Sequence, residues 1–392
     1  MSELPEVETV ARDLRGLVVG ARITGARVTW LKTLRSQDVE AFERAVVGRT
    51  IVGTSRRAKL VVLDLEDGSA ITIHLKMTGQ LFVVRAGVLE DPYIRLVLTF
   101  EDGRELWFRD IRKFGRVGVA RRSDVTGDLE GELGAKGFKG FGPEPLEDAF
   151  TARLFRKAIR GRKGRLKPLL LDQGFLAGVG NIYADEALWA ARLHPLRSAA
   201  SLRPADEGRL YREIRRILAE AVERRGSSID DYTAPDGDGS MQERLLVYQR
   251  TGEPCARCGR PVRRIVVGGR STHFCSWCQR LPAGDRAGAA AILRGMEPRL
   301  GQRAGRGGAG DAGDAGDAGD VDTAAAVIRT GPRWTEIGGV DGSLGTPTGS
   351  TRRAGAVSRA ERTRRAAATR RAAARASAGG ATARSAEGPV EG

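Results

Sequence analysis

The sequence predicts an α+β multidomain chain: an N-terminal antiparallel β-sandwich with a packed N-terminal helix, then a helical domain, then a small C-terminal four-cysteine module. Three observations predict it. The apolar spacing opens at three and four, changes to two between about residues 20 and 125, and returns to helical from 150 to 225. All four cysteines fall between 255 and 278. The 392 residues (42.1 kDa) suffice for two or three compact domains at roughly 100–200 residues each.

The first helix is read over residues 3–19, where Leu4, Val7, Val10, Ala11, Leu14, Leu17 and Val18 share one face. Pro5 suits its first turn, and Glu3, Glu6 and Glu8 suit the positive end of the helix dipole. Strands follow at Lys59–Leu65, Ala70–Leu75, Ile94–Phe100 and Arg104–Phe108, punctuated by Glu-Asp-Gly turns at Glu66–Gly68 and Glu101–Gly103. Short, evenly spaced strands of this kind argue for an antiparallel sandwich or barrel, packed by the first helix. After a Gly/Pro-rich joint at Gly137–Pro145, one helix is marked by Phe150, Leu154, Ala158 and Ile159. A second covers Tyr183–Ala191 and a third Pro204–Arg225. The expected domains are residues 1–125, 126–250 and 251–282, with a disordered Ala/Gly/Arg-rich tail over 283–392.

Lys+Arg 65 against Asp+Glu 49 gives a net charge of +16. Residues 301–392 hold 14 Arg and 10 acidic residues, so +12 of that excess lies in the first 300. Such a surplus favours a polyanionic partner, nucleic acid ahead of a membrane surface. The last 42 residues, with ten Arg and three Glu, read either as a non-specific nucleic-acid arm or as a solvated tail. With no run of 18 apolar residues and no basic-then-apolar leader, a cytoplasmic protein without membrane spans is expected. Four cysteines do not make a disulfide scaffold. The scattered His74, His194 and His273 suggest no Ser/His/Asp triad.

Cys255-Ala-Arg-Cys258 and Cys275-Ser-Trp-Cys278 are two Cys-x2-Cys pairs separated by 16 residues, the spacing of a four-thiolate zinc site. Gly259, Gly268 and Gly269 allow the turns, and Val262 with Ile265–Val267 can form the hairpin between the pairs. A closed four-sulfur shell leaves no place for water, so one structural Zn²⁺ is expected. His273 is then a hairpin or phosphate-facing residue, and Arg263, Arg264 and Arg270 are candidates for reaching DNA. Upstream, the Gly-punctuated segment Leu171–Glu186 leads into a helix whose N-terminus offers N–H groups to an anion. It lacks the Lys-Ser/Thr of a nucleotide P-loop.

Taken together, five blocks resemble the formamidopyrimidine-DNA glycosylase/endonuclease VIII family of base-excision repair enzymes. They are Glu3-Leu-Pro-Glu-Val-Glu8, His74-Leu-Lys-Met-Thr-Gly79, Asp110-Ile-Arg-Lys-Phe-Gly115, Gly178-Val-Gly-Asn-Ile-Tyr-Ala-Asp-Glu186 and Gly269-Arg-Ser-Thr-His-Phe-Cys275. The resemblance covers roughly residues 1–282. It implies a β-sandwich, a helix–two-turns–helix element in the helical domain and a zinc finger. It also implies excision of an oxidised base followed by strand cleavage at the abasic site, on double-stranded DNA, by a monomer.

The resemblance further implies that the nucleophile is the α-amine exposed when Met1 is removed. Terminal amines have a pKa of about 7.7–8.0, so a neutral fraction exists near pH 7. Here the family's usual proline is replaced by Ser2, which keeps a primary amine but lacks the ring; retained but weakened lyase chemistry and loss of catalysis with retained binding both stay open. Glu3 matches the catalytic carboxylate, Glu6 the carboxylate that positions the terminus, and Lys59 a hairpin lysine that contacts phosphate and lesion. Met77, Arg112 and Phe114 match the trio that fills the void left by an extruded base. Lys167, Asn181 and Arg270 match phosphate contacts. The trio resembles the oxidised-purine branch more than the oxidised-pyrimidine branch. The polar stretch Gly226–Gly239 is long enough for a lesion-covering loop, with Ser227, Ser228 and Tyr232 as contacts.

Overall fold

The computed structural model describes residues 2–34, 37–87, 91–122, 129–130, 140–227 and 239–296. Helix α1 (Leu4–Val18) starts at Glu3, whose extended backbone (φ −106°, ψ −170°) turns the chain into the helix. Glu6 reaches back to accept the Glu3 N–H at 2.9 Å, and Pro5 sits where an N–H would have no partner. The helix serves two cores. Leu4 packs with the helical domain, whereas Val7, Val10, Ala11, Leu14 and Val18 pack into the sandwich.

The sandwich is two antiparallel sheets. One has strand order β1-β6-β7-β5 (Ile23–Val28, Ile94–Phe100, Arg104–Asp110, Gly79–Arg85). The other runs β2-β3-β4-β8-β9 (Ile51–Arg57, Leu60–Leu65, Ser69–His74, Arg116–Arg122, Leu129–Glu130). Leu63, Ile71, Ile73, Leu96, Leu98, Leu106 and Phe108 fill the space between them. Gly68 and Gly103 take φ of 78° and 79°, which makes the two Glu-Asp-Gly turns tight. Helix α2 (Val39–Val46), capped by Asp38 accepting from the Ala41 N–H at 2.6 Å, and a short 3-10 turn at Leu31–Thr33 interrupt the region read as uniformly strand. Phe42 and Val46 are the buried side chains of α2, with Val39 and Ala45 half-buried beside them, too few to stand out as a periodic pattern.

The helical domain comprises α3 (Ala152–Arg160), α4 (Leu166–Leu171), α5 (Asn181–Ala190) and α6 (Pro204–Glu223). Phe150 lies before the Thr151 cap rather than inside α3, and packs edge-on against Phe155 at 5.9 Å. Beyond it, β10 (Arg263–Val267) and β11 (Arg270–Phe274) form the expected hairpin between the cysteine pairs.

A correction concerns residues 283 onward, read as the start of a coreless tail: Ala283–Arg294 form helix α7. Its narrow apolar stripe of Ala289, Ile292 and Leu293, continued by Met296, packs on Leu196, Ile265, Val267, Phe274 and Leu281. Ser201 ties its first turn through Asp285 at 2.9 Å. The surrounding alanines and glycines dilute that stripe in the sequence. Among the described residues no helix is long and apolar enough to cross a membrane.

Candidate active site and nucleic-acid interface

Where the sandwich meets the helical domain, the chain start is enclosed. Ser2 is 1% exposed, and its N–H donates to the Lys76 carbonyl at 2.9 Å. The next residue, Glu3, is equally buried. Its carboxylate accepts from the Ile182 N–H at 2.9 Å and the Tyr183 N–H at 3.4 Å, the free donors of the first turn of α5. Glycine is required at that corner: a Cβ on Gly180 would lie 2.3 Å from Glu3 Cδ. Gly178, at φ +80°, similarly clears Leu4, whose N–H donates to the Gly178 carbonyl at 3.0 Å. The anion held by this helix N-terminus is thus the protein's own carboxylate.

Glu6 is a hub. Besides the Glu3 N–H it accepts from the Tyr183 hydroxyl at 2.6 Å, the Ser227 N–H at 2.8 Å and the Ser227 hydroxyl at 3.1 Å. Burial beside two carboxylates raises the Tyr183 pKa, which keeps the phenol a donor. Burial also pushes the Glu3 carboxyl above its usual range; Lys59 pulls it down and Glu6 pushes it up again. Lys59 answers in kind, with its ammonium pKa lowered by burial, supported by Glu3 and Glu6, and lowered further by Arg270 and Lys76.

Lys59 stands on the turn between β2 and β3. Ala58, before it, adopts φ 51°, and its N–H donates to Glu144 Oε1 at 2.6 Å. Glu144 also accepts from Arg56 at 2.6 Å and Arg57 at 2.8 Å. Burial would raise the Glu144 pKa, but those two guanidinium groups and the Ala58 N–H hold its carboxyl below the ordinary range. Sequence reasoning misses Glu144; a lone acid in a Gly/Pro-rich joint carries no signal of its partners 86–88 residues away.

Met77 and the Arg112/Phe114 pair sit on two joined turns. Asp110 accepts from the Thr78 hydroxyl and from the Gly115 N–H at 2.6 Å, while the Arg112 N–H donates to Thr78 Oγ1 at 3.1 Å. Phe114 is 48% exposed, Arg112 is exposed with its guanidinium 5.1 Å from the Phe114 ring centroid, and Met77 is half-buried. Between them Lys113, at φ 59°, lies 4.1 Å over the Trp30 ring. An exposed aromatic ring stacked under a guanidinium on a braced turn is not core packing.

The three residues matched to phosphate contacts divide. Arg270 is exposed at the hairpin tip, after Gly268 (φ 57°) and Gly269 (φ 72°). Asn181 donates to the Ser271 carbonyl at 2.9 Å, so it braces the hairpin, while its Oδ1 is buried without a partner among the described residues. Lys167 overturns the expectation: it is wholly buried, 2.5 Å from Asp185 Oδ1 and donating to the Asn181 carbonyl at 2.9 Å. The reason is the register of α4, which puts Lys167 inward with Leu166 and Leu170. Asp185 uses its other oxygen for the His273 N–H (2.9 Å) and ring Nδ1 (3.2 Å), so His273 too faces the interior rather than a phosphate. Glu186 receives the Leu246, Val247 and Tyr248 N–H groups at 2.8–3.0 Å. Asp185 and Glu186 stand in the glycine-turn block, but nothing local distinguishes them from surface acids. Ser227 is buried on Glu6; Ser228 and Tyr232 lie outside the described residues.

The four cysteine sulfurs all lie within 4.8 Å of one another, with Cys258 and Cys275 at 3.5 Å. The Trp189 indole N–H and the Cys278 N–H each point at a sulfur at 3.4 Å, as thiolates require. Four converging thiolates repel one another without a central cation. The donor set and spacing therefore fit one tetrahedral, structural Zn²⁺ held by Cys255, Cys258, Cys275 and Cys278.

A sandwich and a helical bundle sharing an enclosed chain start, with a stacked Arg–Phe turn and a basic hairpin tip exposed outside it, define a metal-finger protein of the helix–two-turns–helix class. Three family models match: the formamidopyrimidine-DNA glycosylase N-terminal domain over residues 1–117, the H2TH domain over 141–233 and the zinc finger found in FPG and IleRS over 252–281. Among curated relatives, the formamidopyrimidine-DNA glycosylase of Pelotomaculum thermopropionicum is 43% identical over 285 residues, covering 72% of this chain and all of that protein. That of Herpetosiphon aurantiacus is 44% identical over 281 residues, covering 71% and 100%. Among solved structures, the complex of Lactococcus lactis Fpg with DNA containing an abasic site matches with TM-score 0.65 and 36% identity (71% of this chain, 100% of that one). The MutM (FPG) protein from Thermus thermophilus matches with TM-score 0.63 and 43% identity (71% and 99%). The chain belongs to the formamidopyrimidine-DNA glycosylase family.

Proposed function

We propose that this protein excises oxidised purines, 8-oxoguanine and formamidopyrimidines, from double-stranded DNA and cleaves the strand at the resulting abasic site. The observation that carries the reading is the buried pair Ser2–Glu3, with the carboxylate fixed on the first turn of α5 and Lys59 beside it. With Met1 removed, the Ser2 α-amine attacks the sugar C1′ and displaces the base. Glu3, kept protonated further up the pH scale than an ordinary carboxyl, delivers a proton to the sugar ring oxygen as the ring opens. The resulting iminium acidifies the C2′ proton, so β- and then δ-elimination release the flanking phosphates. Glu6 positions the terminus through the Glu3 N–H. Met77, Arg112 and Phe114 fill the vacated stack, and Arg270 grips a phosphate. Asn181 acts through the hairpin it braces.

The sandwich over residues 1–125, the helical domain over 126–250 and the finger from 251 act as one monomeric clasp on duplex DNA in the cytoplasm, with α7 as an added buttress of the finger. Two experiments test the reading. An 8-oxoguanine:C duplex is incised and a thymine-glycol duplex much less so; the reverse preference moves the protein to the oxidised-pyrimidine branch. Borohydride reduction on an abasic duplex gives a covalent adduct mapping to Ser2; tight abasic-site binding with no adduct makes the protein a lesion binder without catalysis.

A further inference from the structure

Ser2 carries an atom that the proposed reaction has not used. Its Oγ is buried and has no hydrogen-bond partner among the described residues, although the rest of the residue is 1% exposed and every neighbouring polar group on Glu3 and Glu6 is engaged. A buried hydroxyl left unpaired is uncommon and marks either strain or chemistry. This one is two bonds from the α-carbon that bears the nucleophilic nitrogen, so N, Cα, Cβ and Oγ are four members of a five-membered ring that lacks only one carbon. With no competing hydrogen bond, a χ1 rotation within the staggered set brings Oγ to whatever carbon the nitrogen holds.

We propose that the Ser2 hydroxyl is a second nucleophile: once the α-amine holds the abasic C1′ as an iminium, Oγ adds to that carbon and closes an oxazolidine. In this step the Oγ lone pair forms the C1′–O bond and the C=N π pair returns to nitrogen. The hydroxyl proton passes to the Glu3 carboxylate, left ionised when it protonated the sugar oxygen, so charge and atoms balance. Reopening reverses each transfer. While the ring is closed C1′ is saturated and no electron sink exists for loss of the C2′ proton, so strand scission waits for reopening. The closed ring also fixes the N–Cα geometry of residue 2, which a five-membered ring otherwise supplies only in proline. The chain thus holds abasic DNA in a covalent but reversible store, with base release running ahead of strand cleavage.

The inference rests on the α-amine of Ser2 being the nucleophile, and the test separates the two ideas. Enzyme with Ser2 confirmed as its first residue by intact mass is compared with Ser2→Ala and Ser2→Thr, both with small side chains that permit Met1 removal. In single-turnover assays on an 8-oxoguanine duplex, strand scission lags base release in the wild type and in Ser2→Thr. In Ser2→Ala the ratio of scission rate to base-release rate rises about threefold or more. On an abasic duplex labelled with ¹³C at C1′, the wild-type complex shows a saturated N,O-acetal carbon that Ser2→Ala lacks. An equal scission-to-release ratio in wild type and Ser2→Ala, or an iminium carbon alone in the wild-type complex, overturns the hydroxyl's role. Failure of wild type to give any borohydride adduct removes the amine as nucleophile and the ring closure with it.

Discussion

The enclosed carboxylates and the exposed Arg112/Phe114 turn are built in opposite ways. Around Glu3 and Glu6 every carboxylate oxygen is assigned: two backbone N–H groups and a phenol of α5, the N–H of residue 227 and the Glu3 N–H converge from three segments, all buried. Around Arg112 and Phe114 only the backbone is braced, through Asp110 and Thr78, while the side chains stand in solvent. Chemistry at C1′ needs a proton donor fixed to a fraction of an ångström. On the proposed function a wedge enters a base stack of varying sequence, a task that suits rigidity in the turn and a free tip.

Substitutions that cross this divide sharpen the contrast. Glu3→Gln keeps the shape of the clasp but removes its proton; base release in single turnover falls by about 10²–10⁴-fold. In the wild type the same rate declines as pH rises through the elevated Glu3 pKa, because the protonated carboxyl is the acid, and Glu3→Gln abolishes that limb of the profile. Gly180→Ala tests position alone: the added Cβ, 2.3 Å from Glu3 Cδ, displaces the carboxylate and costs on the order of 10²-fold in base release, with borohydride trapping as a second readout.

Next come two basic residues with opposite surroundings. Lys167→Met leaves Asp185 buried without its cation and lowers unfolding stability by about 3–5 kcal/mol in denaturant titrations. Arg270→Ala, at the exposed hairpin tip, leaves that stability unchanged and reduces the salt dependence of duplex binding by about one phosphate contact. In stability the proposed wedge behaves like Arg270, not like Lys167. Phe114→Ala and Arg112→Ala weaken lesion-duplex binding by about 1–3 kcal/mol. Both stay within about 0.5 kcal/mol of wild type in unfolding. A large loss of stability in either would show that the wedge is core after all.

Much of this was legible in the sequence because periodicity and cysteine spacing are local signals. The α1 stripe from Leu4 to Val18, the strand Ile94–Phe100 and the paired Cys-x2-Cys knuckles each announce themselves within a short window. Direction of burial was not legible for a charged residue. Lys167 and Arg270 are both basic residues matched to phosphate contacts, yet Arg270 is exposed at the hairpin tip and Lys167 is an internal strut, held by an Asp185 that lies 18 residues along. Helices α2 and α7 escape for a related reason: each rests on two to four apolar residues, and those register as a face only once a partner surface is known. The glycine at 180 reads in the sequence as room for an outside anion, whereas the space it clears is filled by Glu3 from the other end of the chain.

Helix α5 is engaged at both ends of this economy. Its first N–H groups hold Glu3, while Asn181 and Asp185 on the same turns hold β11, whose last residue precedes Cys275. Two of the four thiolates, on Cys258 and Cys278, are only partly covered, and thiolates are where oxidants strike proteins first. Between those sulfurs and the Glu3 carboxylate stand only one hairpin strand and the first turns of one short helix.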